Sequence, residues 1–222
     1  MLYFSLMPHY TAADFPHLDK IFRLNLINSV TGYKPANLVG TSSPDGAHNL
    51  AIVSSVVHLG SNPALIGFVM RPTSVARHTY ENIRATGCYT LNHVHPGIMG
   101  AAHFTSANFP QEVSEFAACG LTPELLSDFP APYVQESRIK MGLELVQEMP
   151  IEANGTILLI GRVQHLRLPD PVLRADGSLD LDAAETVCVS GLDGYHTARL
   201  LARYDYARPE DAGPKPLPTP LP

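Results

Sequence analysis

The sequence predicts a mainly β protein, built as a small antiparallel barrel with helical insertions. Three observations carry that prediction. Short apolar runs of strand length follow one another along the chain, bounded by Gly, Pro, Asn, Asp and Ser. Helical patterns fall between some of these runs without the strict strand–helix alternation of a doubly wound sheet. Hydrophobic residues make up 45% of the 222, enough for one core.

Each element follows in chain order. Residues 1–30 read as an N-terminal leader, with a short helix around "TAADFPHLDKIFRLNLINSV". "ANLVGTSS" is a strand, and "PDG" (Pro44, Asp45, Gly46) is a strong turn signal. "HNLAIVSSVVHLG" reads as a second strand, with Ala51, Val53 and Ser55 on one face and Leu50, Ile52 and Ser54 on the other. "SNP" turns the chain again, and "ALIGFVM" has the continuous apolar pattern of a strand buried on both faces. Thr73 or Ser74 can cap a following helix that Gly87 ends. "CYTLNHV" is a further strand. From Pro96 to about Phe129 three segments read as helical: "GIMGAAHFTSA", "PQEVSEFAACG" and "TPELLSD". Two long strands then flank a loop containing Asn154 and Gly155. No internal repeat is visible.

The domain reading is a leader (1–30), a barrel domain (31–168), a C-terminal extension (169–208) and a Pro-rich tail (209–222). The tail is expected to be disordered or polyproline-like.

Composition excludes several classes of function. Formal net charge is −6, with 21 acidic and 15 basic residues and no Lys/Arg-rich run, so a nucleic-acid role has no electrostatic support. No apolar run reaches the length of a membrane span. The N-terminus lacks a basic region and meets Pro8 early, which argues against a signal peptide. Cys88, Cys119 and Cys188 are few, odd in number and scattered, as in a reducing compartment, and the expected location is the cytoplasm. Buried, inert thiols are the commoner reading of such cysteines.

Three constellations could carry chemistry. In "RPTSVARHTYENI" a helix opens just after a strand. Its N-terminal N–H groups, with Arg71, Arg77, His78 and Thr79, could clamp a phosphate. The competing reading is a capped surface helix with solvated arginines. In "AHNLAIVSS", Leu50 and Ile52 could pack a flat heterocycle while backbone N–H groups and the Asn49, Ser54 and Ser55 side chains meet its polar rim. The competing reading is a barrel strand with polar ends. In "LNHVHPGIMGAAHF", His93 and His95 share a strand face and could co-ligate a metal, with His103 nearby. No carboxylate sits at the usual spacing, so no metal site is assigned; pocket-lining or structural histidines fit better. Ser54, Ser55 and His58 lack the third group that Ser–His catalysis needs, and no dinucleotide, P-loop, nucleophile-elbow or zinc-protease motif is present.

The order of these features is more specific than any one of them. The strand, the "PDG" turn, "HNLAIVSS", "LGSNPALIGFVMRP", "RHTYENIRATGCYTLN" and "FTSANFPQEVSEF" together resemble the flavin reductase-like, FMN-binding split-barrel family, in its flavoredoxin-like branch. The likeness covers about residues 30–165, and "GLDGYHTARLLARYDYARP" resembles the tail of one subgroup. The resemblance implies a six-stranded antiparallel Greek-key split barrel, forming a homodimer with FMN at the interface. It implies that Asn49, Leu50, Ala51, Ile52, Ser54 and Ser55 line the isoalloxazine and ribityl chain, and that Arg71, Arg77, His78 and Thr79 hold the phosphate. Many relatives carry "KDT" where this chain has "RHT", a change that leaves the hydroxyl in place.

The expected function is therefore an FMN-binding oxidoreductase, an NAD(P)H-dependent flavin reductase in the first instance. The nicotinamide would stack on the flavin without a Rossmann domain. The cofactor carries the hydride chemistry, so no catalytic acid–base residue is assigned. A non-catalytic or electron-carrier FMN protein of the same fold is the alternative, and a His-based metal hydrolase a distant one. The sequence leaves open the physiological reductant, the electron acceptor, the substrate and a partner monooxygenase.

Overall fold

The computed structural model describes residues 7–217. A 3-10 turn at Phe15–His17 leads into α1 (Lys20–Ser29), whose first turn is capped by the Asp19 carboxylate accepting from the N–H groups of Ile21 and Phe22. The strands that follow are β1 (Lys34–Pro35), β2 (Asn37–Ser42), β3 (His48–Val53), β4 (Val57–Ser61) and β5 (Ala64–Met70). After α2 (His78–Thr86) and β6 (Cys88–His93) come two short helices, α3 (Met99–Phe104) and α4 (Glu115–Cys119). A hairpin, β7 (Pro123–Leu126) and β8 (Phe129–Val134), precedes the long pair β9 (Lys140–Ile151) and β10 (Thr156–Arg167). The chain closes with β11 (Val187–Ser190), β12 (Gly194–Thr197), β13 (Arg203–Tyr204) and β14 (Pro216–Leu217).

One antiparallel sheet dominates, in the order β3-β2-β6-β9-β10-β5-β4. Its two edge strands, β3 and β4, are joined by residues 54–56 alone. A sheet whose opposite edges lie three residues apart must curl on itself, and that is the barrel, split at the β3–β4 junction. The run expected as one strand is thus two. Its first half pairs with β2 and its second with β5, which makes seven strands where six were expected. At the junction Ser55 Oγ accepts from the Val69 N–H at 3.0 Å and donates to the Val69 carbonyl at 3.2 Å, so one hydroxyl serves the edge of β5 where no strand does.

β2 is buried along its whole length because both of its faces are covered. Val39 points into the barrel with Phe68, Tyr89, Leu91, Leu143, Leu159 and Ile83 of α2. Leu38 points outward into a second cluster with Leu50, Val94, Phe116, Val134, Val187 and Val189. The second cluster includes β11 of the C-terminal extension, and β11 also pairs with β1. Part of the extension is therefore core.

Several expected boundaries shift. "TPELLSD" forms β7 and its turn, not a helix: Glu124 accepts from Lys140 Nζ at 2.6 Å and Arg167 at 2.8 Å, fixing the hairpin to β9 and β10. These two cations hold the Glu124 carboxyl down at about 2, Arg167 being the larger influence. The helix expected from Thr73 or Ser74 begins at His78; residues 73–76 are exposed, and the first buried anchors are Thr79 and Ile83. Gly87 ends it as expected, at φ 73°. In the tail, Pro216 and Leu217 pair with Tyr204 and Arg203, so this part is folded back on the extension; residues 218–222 lie outside the described residues. No helix among the described residues is long and apolar enough to cross a membrane.

Candidate functional site

β3 is an edge strand, so alternate N–H groups along it face away from β2 and need acceptors. The Leu50 N–H donates to Glu115 Oε2 and the Ile52 N–H to Thr105 Oγ1, both at 3.0 Å. The insertion carrying α3 and α4 thereby covers this stretch of edge. Leu50 is fully buried and Ile52 packs on the same outer cluster, so neither the Leu50 side chain nor these two N–H groups offer a face to a heterocycle. Within one chain, the expected ring-packing role of Leu50 and the rim role of these two N–H groups compete with the insertion that already engages them.

The edge is different at residues 54–56. The β2 ladder stops at Val53 and the β5 ladder starts at Val57, and the N–H groups of Ser54, Ser55 and Val56 bond to no backbone carbonyl in either. All three residues are half-buried. Beside them β4 exposes Val57 and Leu59. A row of backbone donors next to apolar side chains can meet the polar edge and the face of a planar ring.

A cleft of about 330 Å³ lies at the other end of β3. It is lined from the β2–β3 turn by Ser43, Asp45, Ala47, His48 and Asn49, from α2 by His78 and Asn82, and from the segment before α4 by Gln111, Glu112 and Val113. Asn49 Nδ2 donates to Thr79 Oγ1 at 2.9 Å, which ties β3 to the first turn of α2. Asn82 Nδ2 donates to Thr41 Oγ1 at 3.1 Å, a second tie one helical turn on.

The predicted residues thus divide. Asn49 and His78 line the cleft, and Thr79 stands behind Asn49, bonded to it. Ser54 and Ser55 stand at the junction, Ala51 is half-buried within β3, and Leu50 belongs to the core. Arg71 is exposed just after β5. Arg77 caps α2, its Nε donating to the Pro72 carbonyl at 3.2 Å while its own N–H meets Glu81 Oε1 at 3.2 Å. Neither arginine lines the cleft. Sequence reasoning missed His48, Asp45, Asn82 and Glu112. Asn82 was findable, lying three residues after Thr79 and so on its face of the helix. Glu112 was not, since no local pattern places its loop over β3.

The histidines expected near β6 are structural. His95 Nδ1 accepts from the Gly97 N–H at 3.2 Å, and its Nε2 donates to the Glu136 carbonyl at 3.1 Å, so both nitrogens are engaged. His93 sits 3.3 Å from Thr186 Oγ1, and burial depresses its pKa to about 4. His103 pairs with the Tyr195 hydroxyl at 3.0 Å. No group of three His, Cys, Asp or Glu with metal-site geometry occurs among the described residues. The three cysteines are free, and burial pushes the Cys88 and Cys119 thiols up, away from thiolate.

Comparison with known proteins decides the family. The flavin reductase like domain model matches residues 33–180. The chain belongs to the flavin reductase like domain family. Among solved structures of the same fold is a candidate flavin reductase with a split barrel domain from Shewanella frigidimarina NCIMB 400. It is 47% identical at a TM-score of 0.87, over 90% of this chain and 100% of that one. The flavoredoxin of Desulfovibrio vulgaris (Miyazaki F) is 24% identical at a TM-score of 0.67, over 82% and 93%. An FMN-binding protein from Thermus thermophilus is 18% identical at a TM-score of 0.60, over 74% and 85%. At this last pair's identity the likeness is one of fold. The flavin reductase domain match extends past the barrel strands into the extension, as does the packed core. A flavin also fits the chain's own donor set: the uncommitted N–H groups at residues 54–56 suit a ring edge, and the start of α2 suits an anion.

Proposed function

We propose that the protein is an FMN-binding oxidoreductase that reduces flavin at the expense of NAD(P)H, acting as a homodimer in the cytoplasm. The observation that carries the reading is the release of three consecutive backbone N–H groups at the β3–β4 junction, where the strand that Asn49 ties to the start of α2 ends. The free thiols support a reducing compartment. Bound FMN would supply reversible hydride acceptance. The residues of the chain bind and orient. The N–H groups of Ser54, Ser55 and Val56 hold the ring edge, and the β4 side chains Val57 and Leu59 exclude water from its face. The start of α2, with Arg71, Arg77, His78 and Thr79, neutralises the phosphate.

The test separates phosphate from ring. A charge-assisted hydrogen bond contributes about 1.5–3 kcal/mol, and each 1.4 kcal/mol is about tenfold in affinity. Arg71→Ala is expected to weaken FMN about ten- to a hundredfold and to leave riboflavin nearly unchanged, while Thr79→Val acts on FMN in the same direction but less. Titration of both ligands at fixed salt reads this out. Equal losses for the two ligands would place Arg71 in a structural role. Steady-state oxidation of NAD(P)H with free FMN then distinguishes a reductase from an electron carrier.

A further inference from the structure

The mouth of the β2–β3 hairpin fixes which way one imidazole presents its lone pair. Ser42 and His48 are register partners, and Ser42 Oγ lies 3.1 Å from His48 Nδ1 and 3.1 Å from the Pro130 carbonyl oxygen. A serine hydroxyl has one proton, and a carbonyl oxygen only accepts. The Ser42 proton therefore goes to Pro130, and the proton between Ser42 and His48 must come from Nδ1. In neutral His48 the other nitrogen, Nε2, is then an acceptor. No described protein group donates to Nε2, and it is not sealed from solvent, since the ring lines the cleft. Phe116 backs the ring edge-on at 6.5 Å, and partial burial lowers the imidazole pKa, favouring the neutral form.

Asn49, the next residue, is nine-tenths buried. Its Nδ2 is committed to Thr79, and its Oδ1 has no described partner and also reaches the cleft. The charged groups facing the same space are the carboxylates of Asp45 and Glu112, with the His78 imidazole opposite and no Lys or Arg. Ser43 and the Gln111 and Asn82 amides complete the polar lining, so the cleft carries several acceptors, a few neutral donors and no Lys or Arg. It suits a group that brings several hydroxyls.

We propose that His48 Nε2 and Asn49 Oδ1 accept hydrogen bonds from a polyhydroxylated chain, the ribityl chain of the bound flavin, and that His48 is a specificity determinant for that chain. This rests on the flavin-binding reading above. The phosphate then lies at the His78 end of the cleft, toward Arg77 and Arg71.

Two measurements test the proposal. Long-range proton–nitrogen NMR of the imidazole, with no ligand present, is expected to show His48 as the Nδ1–H tautomer. Ser42→Ala should release it toward the Nε2–H form. An Nε2–H tautomer in the wild type overturns the inference whatever flavins do. Titrations with FMN, riboflavin and lumiflavin (the ring without its chain) form the second test. His48→Phe is expected to weaken FMN and riboflavin by the same factor, about three- to tenfold, and to leave lumiflavin unchanged. His48→Gln, which can place an acceptor where Nε2 stood, should recover most of the loss. A loss confined to FMN would put His48 at the phosphate, a loss shared by lumiflavin would make it a packing residue, and no loss would remove the chain from the cleft; each overturns the inference. Wild type that binds none of the three while showing the expected tautomer would instead overturn the flavin reading, and the proposal with it.

Discussion

At the scale of single residues, the barrel interior is set by glycines that make room for tyrosines. Gly161 on β10 faces the Tyr89 side chain, and a Cβ added there would collide with Tyr89 Oη and lie 3.1 Å from Leu143 Cβ. Tyr89 is fully buried, and its hydroxyl has no hydrogen-bond partner among the described residues. Burial pushes its pKa up, so it stays a neutral phenol. On the outer face of β9, Gly142 and Tyr133 of β8 repeat the arrangement, Tyr133 Oη occupying the space a Cβ would need. Gly161→Ala is expected to cost about 1–3 kcal/mol, the usual range for overpacking. Tyr89→Phe alone should be close to neutral, because it deletes a hydroxyl that bonds to nothing. The double variant should recover part of the Gly161→Ala loss, a coupling that denaturant unfolding of the four proteins measures. Strictly additive costs would show that the two side chains do not share the space.

At the scale of elements, the β3–β4 junction both closes the barrel and opens the candidate site. Ser55 sits at its centre, and its hydroxyl is already committed in both directions to Val69. A side chain so engaged belongs to the scaffold, and only the backbone N–H of Ser55 is left for a ligand. Ser55→Ala leaves the half-buried Val69 N–H and carbonyl without that partner, and the expected cost is about 1–2 kcal/mol of stability. The loss should be the same with and without FMN, read as equal shifts in unfolding midpoint after correction for ligand linkage. A loss that appears only with FMN bound would make Ser55 a cofactor ligand instead. The same logic applies to the neighbouring edge: Glu115 and Thr105 serve Leu50 and Ile52, so the α3–α4 insertion is fixed to β3 by backbone chemistry as well as by Phe116 in the outer cluster.

For the molecule as a whole, two apolar surfaces stay uncovered among the described residues. α1 buries none of its residues, yet carries Ile21, Phe22, Leu24 and Ile27 exposed. β4, at the edge of the sheet beside the junction, leaves Val57 and Leu59 exposed at 45% and 42%. A planar ring seated at residues 54–56 would have one side open to water, and a symmetric second copy is the simplest cover for both ring and apolar edge. Light scattering of the FMN-bound protein is expected to give about twice the 24.1 kDa of one chain. A mass of one chain with FMN bound would overturn the dimer.

Local signals in the sequence were enough to mark β2, β3, β5, β6, β9 and β10 and the turns after β2 and β4. Alternation along "HNLAIV" put Leu50 and Ile52 on one face and Val53 on the other, and the two clusters divide them in that way. Pro44, Asp45 and Gly46 marked the β2–β3 turn, and Gly87 the end of α2. Short apolar stretches were less legible: "TPELLSD" suits a helix or a strand by local pattern, and contacts from Glu124 to Lys140 and Arg167, distant in sequence, made it a strand. The start of α2 was likewise decided by what could be buried, Thr79 and Ile83, and not by the capping residues at 73 and 74. For the candidate site, the sequence named Asn49 for a ring and His78 and Thr79 for a phosphate; in the structure Asn49 and His78 line one cleft, and Thr79 accepts from Asn49 behind it. The sequence could not show that Leu50 packs in one cluster with Phe116, that the N–H groups of Leu50 and Ile52 are taken by Glu115 and Thr105, or that Ser42 stands between His48 and the Pro130 carbonyl. Residue type says which hydrogen bonds a group can make; only the packing of distant segments decides which of them are already made, and so which lone pairs and donors remain for a ligand.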